Sequence, residues 1–149
     1  METSLKDVVG EGRQPGGLLI LRMVAMPRDC NSNGDIFGGW ILSQMDIGGG
    51  LLAKEVARSR TVTVTINKMT FMRPVKVGDT ICVYAKVINV GNTSMEIRLE
   101  VWAKDLTEEF ERQRHIVTEG VFKYVSIDAE GRPRPIPKNP RLPPEGLAV

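Results

Sequence analysis

The segment Asp29-Cys30-Asn31-Ser32-Asn33-Gly34-Asp35-Ile36-Phe37-Gly38-Gly39-Trp40 leads into a long apolar stretch with one interior carboxylate, Asp46. A loop that enters a helix through glycines presents free backbone N–H groups and the positive end of the helix dipole. At Gly38 and Gly39 no Cβ blocks a carbonyl from approaching those donors. Such donors polarise a carbonyl and hold the oxyanion that forms when it is attacked. The same pair also serves simply to turn the chain into the helix. Asp46 lies between Met45 and Ile47, where an unpaired carboxylate is costly. It suits a general base or a nucleophile on a carbonyl carbon, or else an exposed helix-face residue paired with an arginine.

Spacing links the two features. Asp46 follows Gly38 by eight residues, about 12 Å along a helix. A base and an oxyanion donor must both come within about 3 Å of one reacting group. One subunit cannot readily supply both, whereas two antiparallel helices at a dimer interface can. The triplet Gly48-Gly49-Gly50 costs about 1 kcal/mol per glycine within a helix. It is expected to let something pack closely, and close approach of the partner helix fits two composite sites per dimer.

The elements that position these residues are legible from periodicity. Leu18 to Met26 is an apolar run suited to a buried strand and ended by Pro27. Apolar residues at Ile41, Met45, Leu52 and Val56 predict a helix from Trp40 to about Val56. From Thr61 to Ile66 the period changes to two, the pattern of a half-buried strand. Arg73 to Asp79 reads as a turn region, and Asp35 is placed to cap the helix. Thr80–Val90 and Ser94–Lys104 are β-rich runs joined at Gly91-Asn92-Thr93, with a further hairpin tip expected at Glu108–Glu111 and a last strand over Arg114–Ile127. This order predicts an α+β fold: one long central helix wrapped by a five-stranded, mostly antiparallel sheet. Residues 1–17 are expected to form a flexible arm and 18–128 a single domain. Residues 129–149 hold six of the nine prolines and read as a partly ordered tail. A sheet with an open end strand favours edge-to-edge pairing of two chains.

Composition narrows the chemistry. The chain has 149 residues, a net charge of +2 and 5% aromatics, which speaks against a polyanion-binding field or a nucleic-acid stacking platform. No run approaches the roughly 18 apolar residues of a membrane span. Cys30 and Cys82 are too few for a disulfide framework, and with His115 as the only histidine no metal site is expected. A cytoplasmic protein with reduced thiols and no cofactor is the simplest expectation.

The stretch AMPRDCNSNGDIFGGWILSQMDIGGGLLAKEVA, followed by VTVTINKMTFMRPVKVGD, strongly resembles the hotdog-fold acyl-CoA thioesterases of the bacterial YciA type. The resemblance runs from about Leu18 to about Pro137, and relatives include the cytosolic acyl-CoA hydrolases of animals. It implies a hotdog domain that dimerises and assembles further into a trimer of dimers. It also implies that Asp46 is the catalytic carboxylate, that Asn31 helps position the water or thioester, and that Gly38 or Gly39 donates to the oxyanion. Asn31 and the glycines would then face Asp46 of the other subunit. The substrate is expected to be an acyl-CoA, with coenzyme A leaving as the thiolate. Its phosphates need basic or polar contacts, for which Arg73, Lys76, Arg132 and the turn Gly91, Asn92, Thr93 and Ser94 are the candidates. A hotdog hydratase would need a histidine near the helix, and His115 is remote from it in the chain. A non-catalytic acyl-CoA-binding module is the alternative from another class.

Overall fold

The computed structural model describes residues 12–104 and 114–138. The chain runs β1 (Leu18–Val24), a 3-10 turn at Pro27–Asp29, α1 (Gly38–Ala57), β2 (Arg60–Phe71), β3 (Thr80–Val90), β4 (Ser94–Lys104) and β5 (Arg114–Ile127). The five strands form one sheet in the order β1-β3-β4-β5-β2, every neighbouring pair antiparallel. Helix and sheet are as the periodicity predicts, and the expected hairpin tip at Glu108–Glu111 lies outside the described residues.

β2 continues five residues beyond the alternating Thr61–Ile66 pattern. Its register against β5 shifts between Thr63 and Thr65 and again between Asn67 and Thr70, with Lys68 at φ 56°. Bulges of this kind break the period-two signal that marks a strand in sequence. The second bulge folds Met69 over Gly120, where a Cβ would collide with the thioether.

α1 lies along one face of the sheet. Met45, Leu52 and Val56 are buried with Val83, Ile97, Leu99 and Phe122 in one apolar core. The glycine triplet serves mainly this packing. A Cβ on Gly48 would stand 2.7 Å from Ile20 Cγ2, and one on Gly49 would clash with the Tyr124 hydroxyl. Gly50 faces open space. Two of the three glycines therefore admit the chain's own sheet, and Gly50 alone of the three has open space beside it.

The opposite face of the sheet has a smaller cluster of Cys82, Tyr84, Trp102 and Ile116. Beside it, Glu100 and Glu119 stand directly across from each other on β4 and β5. Like charges in that relation repel. Arg13 clasps both, at 2.9 Å to Glu100 and 2.8 Å to Glu119, while Gly16 N–H donates to Glu100 and Arg98 to Glu119. The bond from Arg13, seconded by Arg98, holds the Glu119 carboxyl below its ordinary range. A carboxylate held in this way adds stability that is complete above its unfolded-state pKa and is lost as pH falls through the lower folded value. Arg13→Ala is expected to cost about 1–2 kcal/mol near neutral pH. That gap should begin to narrow near the unfolded-state value of about 4.3 and close only once the pH is below the lower folded value. Urea unfolding of both proteins near neutrality and near pH 3 checks this; a gap of equal size at the two pH values would contradict it.

Candidate active site

Four interactions shape the loop that carries Asn31. Asn31 N–H donates to Asp35 O at 2.7 Å, and Gly34, at φ 82°, closes the turn with its N–H on Asn31 O. The Asn31 side-chain oxygen accepts the N–H groups of Asn33 (2.9 Å) and Asp35 (3.1 Å). With the oxygen taken by these two donors, the carboxamide NH2 group has no acceptor among the described residues. Ile36 N–H on Val75 O and Phe37 N–H on Asp29 O then pin the loop to its neighbours.

The loop delivers the chain into α1 without a side-chain cap. Phe37 occupies the cap position, and among the described residues no side chain caps the first turn. Asp35, expected as a cap, instead pairs with Lys76 across a short bridge between the two segments. The first N–H groups in the turn to find a backbone acceptor are those of Trp40 and Ile41, both on Phe37 O. The N–H groups of Gly38 and Gly39 have no acceptor among the described residues, and a Cβ on Gly39 would meet open space. Gly38 borders a cavity of about 290 Å³ with Phe71, Arg73 and Val75. Its position would put a Cβ 3.5 Å from the Phe71 ring. The arrangement is an uncapped helix N-terminus at the mouth of a cleft, which can hold an anionic oxygen.

Asp46 lies two turns further along α1, half-buried, where the helix passes β2 and β5. Its Oδ1 accepts the Thr63 hydroxyl at 2.5 Å and the Tyr124 hydroxyl at 3.1 Å. Neither Thr63 nor Tyr124 stood out in the sequence. Their signal was weak: a threonine in an alternating strand, and a tyrosine in an apolar one, opposite a glycine in the middle of a helix. Within one subunit Asp46 remains about 12 Å from the glycine N–H groups. Both flank the β2 side of the molecule, where the sheet ends.

The remaining candidates divide into two groups. Arg73 and Lys76 sit with Gly38 and Asn31 at the N-terminal end of α1, Lys76 already paired with Asp35. Gly91, Asn92, Thr93 and Ser94 form the β3–β4 turn, closed by Gly91 N–H on Ser94 O. That turn lies at the other end of the sheet: Ser94 pairs with Val125, and the neighbouring Ile127 pairs with Arg60, which follows the helix C-terminus. Arg132 belongs there as well. Its N–H caps Asp128, and the segment after it returns to the turn through Ile136 N–H on Asn92 O. One chain does not bring the two groups together. Among the described residues no cluster of three or more metal-ligating side chains occurs, and no helix is long and apolar enough to cross a membrane.

A family model for the thioesterase superfamily matches residues 33–110, from the Asn31 loop through β4. The chain belongs to this superfamily. This thioesterase-family chain is 56% identical over 123 residues to the acyl-CoA thioester hydrolase YciA of Escherichia coli K12, covering 83% of this chain and 93% of that protein. Among solved structures, Cj0915, a hexameric hotdog fold thioesterase of Campylobacter jejuni, matches with a TM-score of 0.77 at 43% identity over 81% of this chain and 91% of that one. HI0827, a hexameric broad specificity acyl-coenzyme A thioesterase, matches as a mutant enzyme with one aspartate changed to alanine. Its TM-score is 0.80 at 49% identity, over 83% of this chain and 89% of that one. The helix-on-sheet architecture of this thioesterase-family chain is thus the hotdog fold.

Proposed function

We propose that this chain is an acyl-CoA thioester hydrolase that works as a dimer with two shared active sites. The observation that carries the reading is the half-buried Asp46 carboxylate on a helix whose first N–H groups have no acceptor among the described residues. In the proposed reaction the thioester oxygen rests on the N–H groups of Gly38 and Gly39. Asp46 takes a proton from water as the water oxygen bonds to the carbonyl carbon. The tetrahedral intermediate collapses, the C–S bond breaks, and coenzyme A thiolate leaves to be protonated. Direct addition of Asp46 to the carbonyl, giving a mixed anhydride that water then opens, uses the same groups. Asn31 offers its NH2 to the thioester or to the water. No cofactor takes part.

Dimerisation through β2 supports this reading. β2 is an edge strand, and Val62, Val64 and Ile66 on it are 41, 47 and 39% exposed. Antiparallel pairing of two β2 edges sets the helices antiparallel, so that the glycine end of one approaches Asp46 of the other. The same two-fold relation sets the partner's β3–β4 turn and its Arg132 at the end of the molecule that holds Arg73 and Lys76. Those two groups together then form the contact surface for the coenzyme A phosphates. The hexameric state of the two solved relatives favours a trimer of such dimers. A cytoplasmic location suits the two unbridged cysteines. The test is release of free thiol from a panel of acyl-CoAs of different chain lengths by the purified protein. Tight binding with no thiol released would point instead to a non-catalytic acyl-CoA module.

A further inference from the structure

The two oxygens of Asp46 are held unequally. Oδ1 accepts two hydroxyl donors, from Thr63 and Tyr124, whereas Oδ2 accepts none among the described residues. Thr63 and Tyr124 face each other directly in the β2–β5 ladder. One cross-strand pair therefore aims both hydroxyls at a single oxygen, and the β2 register shifts immediately afterwards. Access depends on Gly49, since a Cβ there would clash with the Tyr124 hydroxyl and stand 2.9 Å from Leu99 Cδ1. Tyr124 is 1% exposed. Burial, then the Asp46 charge and the hydrogen bond to it, push the phenol well above its ordinary range. It therefore stays protonated, and a donor, at neutral pH. Among the described residues, the polar side chains touching the carboxylate are the neutral Thr63 hydroxyl from β2 and the titratable Tyr124 hydroxyl from β5.

We propose that Tyr124, with Thr63, is a positioning residue that pins Asp46 Oδ1 and so presents Oδ2 as the oxygen that reacts. The proposal rests on the reading of Asp46 as the catalytic carboxylate. The terminal torsion of an aspartate is broad, so an unheld carboxylate swings between orientations, only some of which reach the substrate. Two donors on one oxygen fix the plane, and reaction rates depend steeply on such alignment.

Tyr124→Phe keeps the ring in place, and Thr63→Val keeps the shape of the strand side chain. Each is expected to lower kcat about tenfold, the equivalent of one hydrogen bond to a charged group. KM should hardly change, because the pair touches the carboxylate and not the substrate. In the double variant the loss of kcat should be larger. A purely structural role for Tyr124 would lower the melting temperature or the active fraction and leave kcat per active site at the wild-type value. Asp46→Ala is measured alongside. If Asp46→Ala turns over at the wild-type rate, the catalytic reading itself is wrong and the positioning role goes with it. If Asp46→Ala is inactive while both hydroxyl variants keep the wild-type kcat, the positioning role alone is overturned.

Discussion

Replacing Asp46 with alanine is expected to lower the rate of thiol release from acyl-CoA by about 10²–10⁴-fold, the usual contribution of a positioned base. The loss should appear in kcat, because a small carboxylate inside the helix adds little to binding of a long substrate. The fold should survive, since the surrounding core of Met45, Leu52 and Phe122 is apolar and does not depend on the carboxylate. The hydroxyls of Thr63 and Tyr124 lose their acceptor in the variant. Both border a half-exposed position where water can replace it. Steady-state kinetics with a thiol reagent, together with circular dichroism, separates chemistry from folding. Equal turnover in variant and wild type would remove Asp46 from the mechanism.

The second large effect concerns where one site begins and ends. Gly39→Pro removes a single N–H from the first helical turn, where proline is tolerated, and a Cβ there meets open space. Loss of one oxyanion donor is expected to lower kcat about 10²–10³-fold. Asp46→Ala and Gly39→Pro chains, unfolded together and refolded at equal concentration, should form mixed dimers. If Gly39 of one chain works with Asp46 of the other, each mixed dimer holds one intact site and one doubly damaged site. Random assortment then restores about a quarter of the wild-type activity. If both groups served a site within one subunit, every site would carry a lesion. Activity in the mixture would then stay at the average of the two inactive parents.

Much of the architecture was legible in the sequence because burial enforces period. The helix followed from Ile41, Met45, Leu52 and Val56, and three of the strands kept the limits that their apolar runs suggest. Where the chain departs from regular geometry the signal faded, as in the bulged second half of β2. Gly38 and Gly39 could be placed at a helix start because loop composition and glycine share one short segment. What surrounds Asp46 could not, because Thr63 and Tyr124 lie 61 residues apart and meet only through strand pairing. The same holds for Arg13 on its two glutamates and for Lys76 on Asp35. Each depends on register, which a single sequence does not encode locally. The glycine triplet could be seen to demand close packing, but not which neighbour would fill the space.

The exposed β2 edge also has a consequence for the protein's life before and after assembly. A newly made subunit displays a strand with one open edge, carrying Val62, Val64 and Ile66, a template for promiscuous strand addition. In the proposed dimer, association with its own kind caps that template, so resistance to aggregation and turnover obey one mass-action law. Dilution should then erode both together.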